Sequence, residues 1–156
     1  MLTTGDRLDF LLEKYPLLLL KINPETKPEW GKFSVMQMIE HMCYAVRMAN
    51  GKDAYSIVTP DDKLVPMQEF LMSEKEFRPN TKNVLMGEEP EPQRLKSVEE
   101  AVAELKMELN DFHMLYKNDT QKTVTNPFFG ELNFQKWIHL LYKHAIHHLK
   151  QFKAVS

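Results

Sequence analysis

Apolar residues recur along this chain at spacings of three and four in four stretches, the periodicity of helices that bury one face. In the first stretch, Leu8, Leu11, Leu12, Tyr15, Leu19 and Ile22 form the repeat, with Pro16 inside it. Proline lacks the amide hydrogen its turn would use, so the helix is expected to kink or restart there. The second stretch follows Pro24 and Pro28: Ser34 with Gln37 makes a capping-box pattern, and Asn50-Gly51 supplies the stop. Its apolar stripe is Met38, Met42, Ala45, Met48 and Ala49. The third opens on Ser97 with Glu100, a second capping-box pattern, and continues through Val98, Val102, Leu105, Leu109, Phe112 and Tyr116. The fourth begins after Asn133, a candidate N-cap, and reaches Phe152 with Phe134, Trp137, Leu141, Ala145 and Leu149 on the same arc.

The intervening segments read differently. Pro66 is expected to begin a short helix through Met67, Phe70 and Leu71. The stretch from Arg78 to Lys96 carries three prolines and the acidic run Glu88-Glu89-Pro90-Glu91, which predicts a long solvated loop able to cover something. Asn118 to Gly130 reads as a polar connection ending in Asn126-Pro127-Phe128-Phe129-Gly130. The whole pattern predicts one all-α domain over residues 1–156, arranged as a four-helix bundle.

Composition agrees with that architecture. A chain of 156 residues is long enough for one ordinary core, and five glycines against ten methionines favour helix over sheet. Twenty basic against twenty-two acidic residues leave a formal charge of -2, too little field to gather phosphate backbones or anionic lipid. Nucleic acid is not an expected partner. Cys43, the single cysteine, rules out an internal disulfide and fits a reducing, cytoplasmic setting. The longest leucine run, Leu17 to Leu20, is far below the roughly 20 apolar residues of a membrane helix, so neither a span nor a leader is expected.

Six histidines raise the question of metal binding. At about 100° per residue on a helix, His148 falls inside the apolar arc of the last stretch and His144 on its edge. His139 and His147 lie toward Lys136, Lys143 and Lys150 and are expected to be solvated surface residues. Residues four apart on a helix share a side, so His144 and His148 can offer two imidazoles to one ion. Carboxylates or backbone carbonyls could satisfy both rings instead, and spacing alone leaves the two readings even. His41, on the border of the second stripe, could turn into the core as a third ligand. Tyr44 and Gln37 are candidate orienting groups, and His113 a rim residue or fourth partner. Cys43 points away from His41 on the same wheel, which argues against a thiolate ligand and against a Cys/His nucleophilic pair. No glycine-rich phosphate loop or nucleophile-elbow pattern is present.

Phe33-Ser34-Val35 followed by Glu40-His41-Met42, with His144-Ala145-Ile146-His147-His148-Leu149-Lys150-Gln151 near the end, resembles the DinB-like (YfiT-like) superfamily. The segment Asn126 to Leu132, with Trp137 and the ending His148-Leu149-Lys150-Gln151-Phe152, is similar to a subgroup of small bacterial proteins within it. The resemblance implies a four-helix bundle with a long crossover connection, often a homodimer, in which one histidine of helix 2 and a His-x-x-x-His pair of the last helix hold a divalent metal. Those positions match His41, His144 and His148. One departure stands out: the subgroup commonly has histidine where this chain has Asn126, which cannot supply an imidazole but can still hydrogen-bond, and so joins Tyr44 and Gln37 as a candidate orienting group.

Three imidazoles leave coordination positions open, unlike a closed structural site with four protein ligands. A metal so held, zinc or nickel by expectation, can ready a thiol or a water for attack. The resemblance implies a thiol S-transferase or a hydrolase acting on a small-molecule or thiol substrate. The alternative is a non-catalytic helical binding or regulatory module with structural histidines.

Overall fold

The computed structural model describes residues 1–79 and 89–156. Its first helical stretch consists of α1 (Thr4–Asp9), a π-helical turn (Phe10–Lys14) and α2 (Tyr15–Leu20). Thr3 caps α1 reciprocally with Asp6: the Thr3 hydroxyl accepts from the Asp6 amide at 3.0 Å, and the Asp6 carboxylate accepts from the Thr3 amide at 2.9 Å. The expected disturbance at Pro16 takes the form of the wide turn just before it, where the Tyr15 amide donates to the Phe10 carbonyl five residues back. A wider turn accommodates a ring that would otherwise press on the carbonyl four residues earlier. Leu11, Tyr15 and Leu19 on either side of it all reach the core.

Helix α3 (Val35–Ala49) starts as the sequence predicts, with both hydrogen bonds of the Ser34–Gln37 capping box formed, at 3.1 and 2.9 Å. Gly51 follows its end at φ +68, a left-handed conformation that glycine adopts without strain. Helix α4 (Asp61–Met72) begins five residues before the expected start and takes Pro66 into its interior. The missing Pro66 amide deprives only the carbonyl of exposed Asp62, close to the helix end, where water can replace it. Helix α5 (Val98–Tyr116) is capped by Ser97, whose hydroxyl accepts from the Glu100 amide at 3.1 Å. The Glu100 carboxylate turns instead to the amide of Lys96, so this box closes one residue early.

The expected polar connection before the last helix contains a small hairpin, β1 (Val124–Asn126) and β2 (Gly130–Leu132), antiparallel with Val124 opposite Leu132. Asn126 organises its turn by accepting from the amides of Phe128 and Phe129 at 2.8 and 3.0 Å. Helix α6 (Phe134–Gln151) then opens on Asn133, whose side chain accepts from the Lys136 amide.

Helix α3 packs along α5, while α6 packs against α1, α3 and α4, and α2 lies on α5. Tyr15, Met38, Ile39, Met42, Leu105, Phe112, Tyr116 and Trp137 are fully enclosed between them. Side chains that remove such apolar area from water supply most of the stabilisation, at roughly 25 cal/mol per Å². The described parts of the connection from α4 to α5 are irregular, as expected, and are moored to α3. The Glu40 carboxylate accepts from the amides of Arg94 at 2.9 Å and Leu95 at 2.7 Å, and the Gln37 side chain donates to the Glu91 carbonyl at 3.1 Å. Glu88, the first residue of the acidic run, lies outside the described residues. No described helix is long and apolar enough to cross a membrane.

Candidate metal centre

The packing of α3 against α6 brings His41 to His144 and His148, which stand one turn apart on α6. The three ring centroids lie 4.9, 5.0 and 4.8 Å from one another. One ligand nitrogen of each lies within 4.8 Å of the other two, and the Nε2 atoms of His41 and His144 are only 2.9 Å apart. Burial follows the order the helical wheel predicts: His148 is 6% exposed, and His144 and His41 are half-buried.

Burial also fixes the charge. Loss of solvent pushes the His41 pKa down from 6.5 to about 4, with His147 adding repulsion. It carries His144 and His148 well below the ordinary histidine range, their histidine neighbours reinforcing the effect. All three rings are therefore neutral at pH 7 and carry a lone pair, the form a metal requires. Among the described residues no carboxylate hydrogen-bonds to any of the three; the polar partner of His148 is Gln151, whose Oε1 lies 2.8 Å from Nδ1.

A neutral imidazole set suits several first-row divalent ions. Zinc–nitrogen bonds of about 2.0–2.1 Å at tetrahedral angles set ligand nitrogens roughly 3.4 Å apart. The 2.9 Å between the His41 and His144 Nε2 atoms and the 4.8 Å limit on the whole set bracket that spacing. The residues present thus fit a divalent ion and could hold one. Aromatic rings wall the cluster: Phe33 stands 5.0 Å from His41 and 5.7 Å from His148, and Phe77 stands 6.0 Å from His144.

A family model described as the DinB superfamily matches residues 6–152. The chain belongs to the DinB superfamily. No curated protein matches it. The superfamily resemblance carried by the segments around His41 and His148 is thereby borne out, together with a mostly helical, DinB-like fold.

Other histidines of this DinB superfamily chain depart from expectation. His139 was expected on a solvated face, but it is 8% exposed, with Nε2 3.4 Å from the Thr4 hydroxyl. Lys143, which had marked that face as polar, is also 8% exposed and donates to the carbonyls of Ser73 and Lys75. The N-terminal end of α1 and the segment after α4 cover this side of α6. His147 is half-buried, its ring 5.3 Å from Trp30 and 6.0 Å from Phe77. Burial lowers its pKa, against an opposing hydrogen bond to the Phe77 backbone.

The candidate orienting groups are occupied elsewhere. Gln37 is committed to its capping box and to Glu91. Tyr44 is 43% exposed and lies beneath the Arg94 guanidinium. Asn126 is buried but holds the hairpin turn, with its amide nitrogen 3.6 Å from the Met48 sulfur. His113 stacks on Phe134, at the far end of α6 and about 15 Å along the axis from His144. Cys43 faces α5, where its thiol donates to the Ala101 carbonyl, and burial pushes its pKa up. The residue the sequence reading missed is Gln151. Its position three residues after His148, on the same helical side, was the available signal.

Proposed function

We propose that the chain is a metal-dependent enzyme, a single four-helix-bundle domain over residues 1–156 in which His41, His144 and His148 hold one divalent ion, zinc or nickel. The observation that carries this reading is the convergence of three neutral imidazoles within 4.8 Å of one another in a buried setting. A bound ion would act there as a Lewis acid, drawing a thiol or a water toward its ionised, nucleophilic form near neutral pH. The protein's share is to present three ligands and leave the remaining coordination positions open, which favours chemistry over a closed structural role. Phe33 and Phe77 keep bulk water from the rings and favour a substrate with an apolar portion. A thiol S-transferase or a hydrolase fits this arrangement. The test is a panel of low-molecular-weight thiols against electrophilic and ester substrates, run on zinc- and nickel-loaded protein. Turnover that survives His148→Ala would sink the reading.

A second reading rests on the 2.9 Å contact between the His41 and His144 Nε2 atoms. A direct imidazole–imidazole hydrogen bond would pair one nitrogen of each ring without an ion, and the histidines would then be structural parts of a non-catalytic binding or regulatory module. Elemental analysis of the purified protein separates the two. Absence of metal, with thermal stability indifferent to chelator and to added zinc, selects the second.

A further inference from the structure

We infer that Gln151 is a positioning residue, whose side-chain amide locks His148 in the Nδ1–H tautomer and turns its Nε2 lone pair toward His41 and His144. The chain of reasoning starts at Trp30. Its backbone carbonyl can only accept a hydrogen bond, and the Gln151 amide group approaches it at 2.9 Å, so that end of the side chain is the NH2 group. The opposite end, 2.8 Å from His148 Nδ1, is then the carbonyl oxygen, which can only accept. Nδ1 must therefore carry the proton. A neutral imidazole has one N–H, so Nε2 is left as a lone pair.

The amide itself has little freedom to turn over. Gln151 is 3% exposed. Its backbone carbonyl, at the end of α6 and without a helical partner, accepts from the Glu29 amide at 2.7 Å. Gly31 sits over the side chain at φ +77, and a Cβ there would stand 3.1 Å from Gln151 Nε2. The segment 29–31 and the end of α6 thus clamp the glutamine from both its main chain and its side chain. Phe33, two residues further along that segment, forms part of the wall over His41 and His148. A hydrogen-bond partner on the non-ligating nitrogen is the usual means of orienting a metal-binding histidine, and its removal typically weakens metal affinity 10–100-fold.

This inference deepens the metal reading of the same centre, and its test keeps the two apart. Long-range ¹H–¹⁵N correlation spectra of metal-free, ¹⁵N-labelled protein above pH 7 report which nitrogen of His148 is protonated. Zinc affinity is measured separately by competition with a chromophoric chelator. The expected result is Nδ1–H in the parent protein. Gln151→Leu should shift protons to Nε2 and weaken zinc binding roughly 10–100-fold. Gln151→Glu should keep Nδ1–H, because a carboxylate also accepts from it, while the lost donation to the Trp30 carbonyl lowers thermal stability. Where the leucine variant fails to fold, Gln151→Asn takes its place, being one methylene too short to bridge His148 and the Trp30 carbonyl. A purely structural glutamine would alter thermal stability without moving the tautomer. Retention of Nδ1–H in Gln151→Leu or Gln151→Asn overturns the inference. Failure of the parent protein to bind zinc overturns the metal reading instead, while the tautomer spectra still decide the role of Gln151.

Discussion

Two buried polar clusters flank helix α6 and use their hydrogen-bonding capacity in opposite ways. On one side His144 and His148 meet His41 with nitrogen atoms converging on a common point. On the other, Lys143 donates to the carbonyls of Ser73 and Lys75, and Arg7 donates to the Leu2 carbonyl and to Glu74 at 3.0 Å. The Arg7 guanidinium also lies 5.4 Å from the Tyr142 ring centre. In this second cluster donors meet acceptors, and the protein satisfies itself. In the histidine cluster three neutral imidazoles face one another, and one contact, between the His41 and His144 Nε2 atoms, pairs a nitrogen of one ring with a nitrogen of another. Burial of polar groups is common to both; what marks a place for a guest is an excess of one kind of valence.

The sharpest way to break this comparison is to remove a ring. His148→Ala should reduce bound metal from stoichiometric to trace, as read by elemental analysis. A free metal concentration 100 times the dissociation constant stabilises a protein by about 2.7 kcal/mol. For a chain of this size that is a shift in melting temperature of roughly 5–10 °C. Chelator should abolish this shift in the parent protein and have no effect on His148→Ala. Persistence of a metal-dependent shift in the variant would place the ion elsewhere.

Acid offers the next largest effect. Folded His41 resists protonation down to about pH 4, and His144 and His148 resist it as well, whereas unfolded histidines take up protons near 6.5. Between those limits the unfolded state binds more protons, so the metal-free protein should lose stability as pH falls from about 6.5 toward 4. The slope is at most about 1.4 kcal/mol per pH unit for each ring. Denaturant titrations at a series of pH values would show it, and a flat profile across that window would contradict neutral burial.

Lys143→Met probes the self-satisfied cluster. Two carbonyls lose their donor, which should cost about 1–3 kcal/mol in chemical denaturation while leaving metal content unchanged. Loss of metal in that variant would mean the two sides of α6 are not independent. Tyr44→Phe marks the bottom of the scale: its hydroxyl makes no hydrogen bond among the described residues. Stability should stay within about 0.5 kcal/mol and metal affinity should not change.

What could be read in advance follows the same division. The caps at Ser34, Ser97 and Asn133 were legible because they depend on residues within one turn. The side of α6 that joins the histidine cluster was legible because His148 shares its arc with apolar neighbours. His139 and Lys143 were misjudged because a helical wheel assigns polar residues to water, whereas here the start of α1 and the segment after α4 supply the partners water would have given. Such cover comes from residues distant in sequence and leaves no local signature. The hairpin at residues 124–132 escaped notice for a different reason. Its strands span Val124–Asn126 and Gly130–Leu132, too short for a period-two pattern to stand out. Gln151 was named only as part of a motif, since its role depends on the Trp30 carbonyl, which no spacing rule connects to it.

The mooring of the connection at Glu40 has its own implication for how sequence can drift. Its carboxylate grips the peptide amides of positions 94 and 95, and every amino acid except proline offers that group. The anchor on α3 is therefore intolerant of change, while its two hydrogen bonds make no demand on the side chains it holds; those answer to other partners, Arg94 to Glu104 and Leu95 to the core it packs against. A library randomised at Leu95 should retain folded members chiefly among apolar residues, with proline excluded because it lacks the amide that Glu40 accepts from.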